Sequence, residues 1–122
     1  MKILYIEDND QNYYLVNYIL KAHEYEVIRA RDGREGVQLA TELDPGLILL
    51  DIQLPGMDGY SVARALRADA SLDPIPVIAV TSYAMAGDRE RCLHAGCDGY
   101  IEKPIDPATF ARDVECFLEG GG

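Results

Sequence analysis

Short runs of apolar residues alternate along the chain with segments whose apolar positions recur at helical spacing. The runs are KILYI at 2–6, EVIRA at 26–30, LILL at 47–50, VIAV at 77–80 and a brief pair at 100–101. Continuous apolar runs bounded by turn residues are typical of strands buried on both faces of a parallel sheet. The run at 47–50 suits such a strand, although periodicity alone leaves a buried helix open there. We predict five strands from these runs.

A helix signal follows each predicted strand. Asn9 or Asp10 can cap the first helix, and Asp106 can cap the last, with Pro107 at its first position. The segment 84–95 is charged and only weakly amphipathic, and we predict a helix there. Apolar residues recur at helical spacing in the first and last of these segments, at Tyr14, Leu15, Tyr18 and Ile19 and at Phe110, Val114, Phe117 and Leu118. The inner faces of the second and third helices are predicted at Val37, Ala40 and Leu43 and at Val62, Ala63 and Leu66. Arg64 and Arg67 are predicted to face outward on the third helix.

The resulting order is a strand followed by a helix, five times over. Such alternation predicts an α/β fold in which helices cover both faces of a parallel sheet, as a three-layer sandwich. No repeat or linker interrupts the pattern. At 122 residues the chain is long enough for one core, so we expect one domain at 1–119 and a glycine tail at 120–122.

Composition and charge indicate which partners the protein is not expected to bind and in which cell compartment it is expected to act. The formal net charge of -10, with no basic stripe, argues against binding to nucleic acid or to an anionic membrane. No run is long enough for a secretory signal or a membrane span. The three cysteines form no CxxC pair, which is typical of reduced thiols, and we expect a cytoplasmic location.

Polar side chains stand at the carboxyl ends of four predicted strands. Glu7 and Asp8 follow the first strand, Asp51 the third, Thr81 the fourth and Lys103 the fifth. Open α/β sheets bind ligands at this edge, because all parallel strands end there. We therefore expect three carboxylates, one hydroxyl and one ammonium in a single pocket.

This set of groups favours a magnesium site that supports phosphoryl transfer. Adjacent carboxylates repel one another unless a pKa rises or a cation enters, and Mg²⁺ prefers oxygen ligands. Asp51 is then a candidate to take a phosphoryl group, with Lys103 neutralising its oxygens and the Thr81 hydroxyl donating to one of them.

Four segments carry a resemblance to a known family. They read YIEDN at the first strand end, LILLDIQLPGMDG around Asp51, VIAVTSYAMAGD around Thr81 and AGCDGYIEKPI around Lys103. Together they resemble the receiver domain of response regulators, the CheY-like superfamily, over essentially the whole chain. The match is most similar to single-domain regulators of the DivK type and to receivers of hybrid histidine kinases. The resemblance implies the flavodoxin-like (βα)5 fold with strand order 2-1-3-4-5.

The resemblance also implies roles for the acidic residues. Asp51 would be the phosphoacceptor. Asp8, Asp51 and the backbone carbonyl of Gln53 would bind Mg²⁺, and Glu7 would support the metal through a water molecule.

Further roles follow for the last two strands. Lys103 would bind the phosphoryl group, and its peptide bond to Pro104 would be cis. Thr81 and Tyr100 would form the switch that responds to phosphorylation. The phosphodonor would be a histidine kinase or a histidine phosphotransfer protein. A downstream target would bind the face formed by the fourth helix, fifth strand and fifth helix, or the first helix. Beyond its own phosphorylation and dephosphorylation, we expect no enzymatic activity.

Three alternatives stay open on the sequence. A degenerate receiver would bind partners without phosphorylation. A phosphohydrolase of the haloacid-dehalogenase type would need a second acid two residues after Asp51, where Gln53 stands. A flavin or dinucleotide carrier would need phosphate-binding backbone amides in the first loop, whereas the acids at 7–10 would repel a phosphate.

Overall fold

The computed structural model of the chain describes residues 1–54, 56–82 and 86–118, apart from the side chain of residue 86. Two sequence predictions extend beyond these ranges: the helix at 84–95 in its first two residues, and the domain end at 119 together with the tail at 120–122. No helix in the described part of the chain is both long and apolar enough to cross a membrane.

Five parallel strands form one sheet in the order β2-β1-β3-β4-β5, as the resemblance implied. The strands are β1 (Lys2–Ile6), β2 (Glu26–Ala30), β3 (Leu47–Asp51), β4 (Val77–Thr81) and β5 (Gly99–Glu102). The helices are α1 (Asp10–Lys21), α2 (Gly33–Leu43), α3 (Gly59–Arg67), α4 (Ala86–Ala95) and α5 (Phe110–Leu118), with a 3₁₀ turn at Ala70–Leu72 that the sequence did not predict. The predicted fold class is confirmed.

Two apolar layers explain why the runs form strands. All five residues of β3 and of β4 are buried, since helices cover both faces of the central sheet. One layer contains side chains of α1 and α5, and the other contains side chains of α2, α3 and α4. The carboxyl ends of β1, β3, β4 and β5 are thereby fixed along one edge.

Side-chain caps start three of the helices close to that edge. Asn9, Asp32 and Asp58 each accept a hydrogen bond from the backbone N–H three residues later. Such caps satisfy N–H groups that have no partner inside the helix. The caps therefore fix where α1, α2 and α3 begin.

The predicted start of the last helix is wrong by three residues. Asp106 does cap a turn, since its Oδ1 accepts from the N–H of Ala108 at 2.9 Å. Its carbonyl oxygen accepts from both Thr109 and Phe110, so residues 107–109 form a turn and α5 begins at Phe110. Asp106 is therefore a cap, as predicted, but it caps the turn at 107–109 that precedes the helix.

The predicted outward position of Arg67 is also wrong. Its guanidinium donates to the carbonyl oxygens of Gly96, Leu72 and Ile75 at 2.9, 3.1 and 2.9 Å, and it also binds the carboxylate of Asp98. These acceptors lie in the segments that lead into β4 and β5. Arg67 faces inward because its guanidinium donates to backbone carbonyls just before β4 and β5.

Candidate functional site

An open cleft of about 590 Å³ lies at the carboxyl edge of the sheet. Its lining residues come from the ends of four strands and the first turn of α1: Glu7, Asp8, Asn9, Asn12, Asp51, Gln53, Ser82, Lys103 and Pro104. Because β1, β3, β4 and β5 end side by side, groups far apart in sequence meet here. The predicted convergence of carboxylates and an ammonium is present.

Asp51 ends β3 with its carboxylate held by two donors. Its Oδ1 accepts from the backbone N–H of Gln53 at 2.9 Å, and its Oδ2 lies 3.3 Å from the Nζ of Lys103. Only 2% of the residue is exposed, yet it lines the open cleft. The N–H of Gly59 donates to the carbonyl of Ile52 at 3.0 Å, which fixes the turn after the strand. Asp51 is therefore rigidly placed and reachable from solvent.

Glu7 is fully buried next to Asp51. Its Oε1 accepts from the Tyr5 hydroxyl at 3.1 Å, from Asn12 Nδ2 at 2.7 Å and from Lys103 Nζ at 3.2 Å. Its Oε2 has no hydrogen-bond partner among the described residues. Burial raises the pKa of Glu7 to about 7, and the neighbouring Asp51 adds to that shift, while Lys103 and Asn12 oppose it. The ammonium alone does not offset the negative charge gathered here.

The donor set fits a small divalent cation. Carboxylate oxygens of Glu7, Asp8 and Asp51 lie within 4.8 Å of one another. The unpartnered Oε2 of Glu7 is a buried polar atom that needs a positive partner, directly or through water. Hard oxygen donors of this kind suit Mg²⁺, which keeps several of its waters. Asp8 and Gln53 are exposed, so two sides of the cluster remain open to solvent.

Lys103 and Thr81 lie at the ends of neighbouring strands. The backbone N–H of Lys103 donates to the carbonyl oxygen of Thr81 at 2.8 Å. Lys103 precedes Pro104 through a cis peptide bond. Thr81 is fully buried, and its exposed neighbour Ser82 lines the cleft at this strand end. Sequence reasoning did not assign Ser82 a role.

Tyr100 lies on β5 beside β4, on the same face of the sheet as Thr81. Thr81 pairs with Glu102 in the register, so Tyr100 is two positions away on the adjacent strand. Its ring is half-buried and packs against the α2–α4 layer, and burial raises the pKa of its hydroxyl. Tyr100 also borders a groove of about 500 Å³ between β5 and α5, in which Ile101, Phe110 and Phe117 supply apolar surface.

Two residues that the sequence did not single out hold the acidic loop. Asn12, in the first turn of α1, donates to Glu7. Arg29 is the one basic residue of strand β2, and its guanidinium donates to Glu7 and Asp8 in the loop after β1 and to Asp10 at the start of α1. A basic residue in a short strand adjacent to an acidic strand end was the available signal for Arg29. Asn12 gave none beyond its position one turn after the loop.

Comparisons with known proteins agree with this geometry. The family model of the response regulator receiver domain matches residues 3–115. Polar-differentiation response regulator DivK of Brucella ovis is 45% identical over 116 residues, which cover 95% of this chain and 94% of that protein.

Two solved structures extend the comparison. One is the receiver domain of sensor histidine kinase PA1611 from Pseudomonas aeruginosa PAO1, which has a magnesium ion coordinated in its active site cleft. It superposes with a TM-score of 0.88 at 36% identity and covers 97% of each chain. Chemotaxis protein CheY4 of Vibrio cholerae superposes with a TM-score of 0.88 at 25% identity, covering 93% of this chain and 95% of that one. In sequence and in fold alike, the chain belongs to the response regulator receiver domain family, whose members are signalling proteins of two-component systems.

Proposed function

We propose that this receiver accepts a phosphoryl group on Asp51, in a magnesium-dependent reaction, and passes the signal on through a change of conformation. The observation that carries the proposal is the position of Lys103, whose Nζ lies 3.3 Å from Asp51 Oδ2 and 3.2 Å from Glu7 Oε1. One ammonium therefore stands beside the proposed acceptor, where the oxygens of an incoming phosphoryl group would need neutralising.

The donor is proposed to be the phosphohistidine of a histidine kinase or a histidine phosphotransfer protein. A carboxylate oxygen of Asp51 attacks phosphorus, the P–N bond breaks, and the imidazole nitrogen keeps the electron pair and takes a proton from solvent. The Gln53 N–H holds the carboxylate in one orientation, so little freedom is lost at the moment of transfer. Phosphoryl transfer depends mainly on such positioning and on charge neutralisation.

Asp8, Asp51 and the backbone carbonyl of Gln53 are proposed to hold Mg²⁺, with Glu7 supporting it through water. The metal supplies positive charge to the phosphoryl oxygens during transfer. The unpartnered, buried Oε2 of Glu7 and the spacing of the three carboxylates support this assignment. The magnesium ion in the cleft of the PA1611 receiver supports it by analogy.

Thr81 and Tyr100 are proposed to be the switch. A phosphoryl group on Asp51 would offer an acceptor to the Thr81 hydroxyl, and the conformer in which that bond forms would then be favoured. Tyr100, on the same face one strand away, would change its packing with it. This is a shift between two populations, driven by a bond that exists in one of them.

The target-binding surface is proposed to be the α4-β5-α5 face, or alternatively α1. The groove beside Tyr100 is open and partly apolar, which suits a protein partner. On α1, the exposed rings of Tyr14 and Tyr18 offer a second contact area.

We further propose that the receiver spans residues 1–119, that 120–122 is a tail, and that the protein acts in the cytoplasm, where its free cysteines would stay reduced.

The test is phosphorylation by acetyl phosphate and Mg²⁺, followed by intact-protein mass spectrometry. The wild-type protein should gain the mass of one phosphoryl group, and Asp51→Asn should gain none. Asp58→Asn is the matched control, since Asp58 caps α3 nearby and asparagine caps a helix equally well; it should be modified like the wild type. A gain that persists in Asp51→Asn would refute the acceptor, and no gain with any donor would identify a constitutive binding module.

A further inference from the structure

The side chain of Arg29 is bonded through all three guanidinium nitrogens to the acidic segment 7–10, which spans the loop after β1 and the first residue of α1. Nε donates to the carbonyl oxygen of Glu7 at 3.0 Å, Nη2 to the carbonyl oxygen of Asp8 at 2.8 Å, and Nη1 to the carboxylate of Asp10 at 2.7 Å. The side chain is 10% exposed, and its guanidinium lies 5.0 Å from the centre of the Tyr13 ring. A planar guanidinium that is bonded at all three nitrogens and packed against a ring on one face is held in a single orientation.

The bonded carbonyls belong to the two residues whose carboxylates enter the cleft from β1. Glu7 and Asp8 follow one another at the strand end, where the backbone leaves the sheet and no ladder fixes both carbonyls. Their carboxylates must point to the same place despite mutual repulsion. Fixing the two carbonyl oxygens fixes the peptide planes, and therefore the directions in which both side chains leave the backbone.

The charge of Arg29 alone would work against a cation nearby. However, Arg29 Nη1 lies 2.7 Å from the Asp10 carboxylate, so the two opposite charges form an ion pair. Once the charge is offset, the effect that remains is geometric. If only the charge of Arg29 mattered, replacing it would strengthen cation binding. If its geometry matters, replacing it would weaken cation binding, so the two effects can be separated.

We propose that Arg29 is the positioning residue of the cation site, a guanidinium that holds the carbonyls of Glu7 and Asp8 so that both carboxylates face the cleft. This inference rests on the proposed magnesium-dependent function. Outer contacts that orient the ligands of a metal contribute to its affinity, and their loss typically weakens binding by about tenfold or more.

The experiment is a calorimetric titration of Mg²⁺ into the wild-type protein and into Arg29→Lys and Arg29→Met. Lysine keeps the charge and loses the fork; methionine loses both. Positioning predicts that both variants bind Mg²⁺ roughly tenfold more weakly. Binding that is unchanged in Arg29→Lys and tighter in Arg29→Met would mean that only charge matters, and would overturn the proposal.

Arg31→Met is the matched control. Arg31 follows the same strand and lies 3.6 Å from the same Asp10 carboxylate, but its side chain is exposed and makes no described bond to the loop carbonyls. Its removal should leave Mg²⁺ affinity at the wild-type value or slightly tighter. A loss equal to that of Arg29→Met would also overturn the assignment.

A second measurement separates positioning from a folding defect. The rate of phosphorylation by acetyl phosphate, measured against Mg²⁺ concentration, should need more Mg²⁺ for half-saturation in Arg29→Lys while its plateau stays close to that of the wild type. A lower plateau with an unchanged half-saturation point would indicate loss of folded protein and would contradict the proposal. A wild-type protein that binds no Mg²⁺ would refute the proposed cation site itself.

Discussion

The ammonium of Lys103 lies 3.3 Å from Oδ2 of Asp51, and the same nitrogen lies 3.2 Å from Oε1 of Glu7, 96 residues earlier in the chain. One cation thus joins two buried carboxylates that reach it from different strands. Its exposed fraction is 12%, so solvent screens these contacts only weakly. Lys103 therefore joins the ends of β1 and β3 across the cleft, and under the proposed function it would also neutralise the oxygens of a phosphoryl group on Asp51.

Lys103→Met should slow phosphorylation of Asp51 by acetyl phosphate by roughly a hundredfold at saturating Mg²⁺, because one preorganised charge at the transferring group is lost. Methionine keeps the length of the side chain without the charge. The measurement is the time course of the phosphorylated mass. Lys21→Met, at the end of α1, removes a lysine outside the cleft and should react at the wild-type rate. A wild-type rate in Lys103→Met would show that the ammonium takes no part in transfer.

Thr81→Val should separate phosphorylation from the switch. Valine matches the shape of threonine without its hydroxyl, so Asp51 should still be phosphorylated while the response of Tyr100 is lost. The measurement is the NMR spectrum of ring-labelled tyrosine before and after addition of acetyl phosphate, with Tyr100→Phe to assign the signal. Thr81→Ser, which keeps the hydroxyl, should respond like the wild type. An equal shift of the Tyr100 signal in Thr81→Val would exclude the hydroxyl from the switch.

The sequence predicted the residues at the strand ends well, for a physical reason. The apolar runs of β3 and β4 are buried on both faces, so their ends are set by where the polar residues begin, at Asp51 and Thr81. Parallel strands then bring those ends together whatever the loops do. Residues far apart in the sequence, such as Glu7 and Lys103, could therefore be assigned to one pocket from the sequence alone.

The sequence failed where long side chains bond to backbone carbonyls. Arg29 and Arg67 both do so. Because every residue has a backbone carbonyl, residue types alone do not show which carbonyl will accept a hydrogen bond from a side chain. Arg67 stands on the polar side of a helical pattern, yet it turns toward the ends of two loops. The pattern records which residues are polar, whereas the fold decides which polar residues find buried acceptors.

Arg67→Met should lower the free energy of unfolding by roughly 3 kcal/mol, since the carbonyls of Gly96 and Ile75 lose the guanidinium donor, and Leu72 and Asp98 each lose one of two donors. Urea denaturation followed by circular dichroism measures the change. Arg64→Met is the control, because Arg64 is exposed on the same helix and bonds only the Ser61 hydroxyl among the described residues. Equal losses in the two variants would show that the bonds of Arg67 add nothing to stability.

Gly59→Ala should destabilise the protein by about 1–3 kcal/mol, the usual cost of overpacking. A methyl group at Gly59 would lie 2.3 Å from the Cα of Ile52 and 2.8 Å from the carbonyl oxygen of Asp51, so the strand end itself would have to move. Gly87→Ala is the control, because no described atom outside the backbone of its own helix lies within 4 Å of the added carbon. Because Gly87 is the second residue of α4, where helix propensity counts for less than in the interior, the change should stabilise the protein by no more than about 1 kcal/mol. Urea denaturation of both variants gives the answer, and equal effects would refute the close approach.

The three thiols should differ sharply in reactivity. Burial raises the pKa of Cys97 to about 12 and also raises that of Cys92, so both stay protonated in the folded protein at pH 8. A disulfide reagent such as Ellman's should therefore label only the exposed Cys116 rapidly, and Cys116→Ser should remove that fast phase. An unfolded Cys97 ionises near its usual pKa of 9.0, so the free energy of unfolding should fall as pH rises above about 9. Rapid labelling of all three thiols at pH 8 in the native protein would contradict the burial of Cys92 and Cys97.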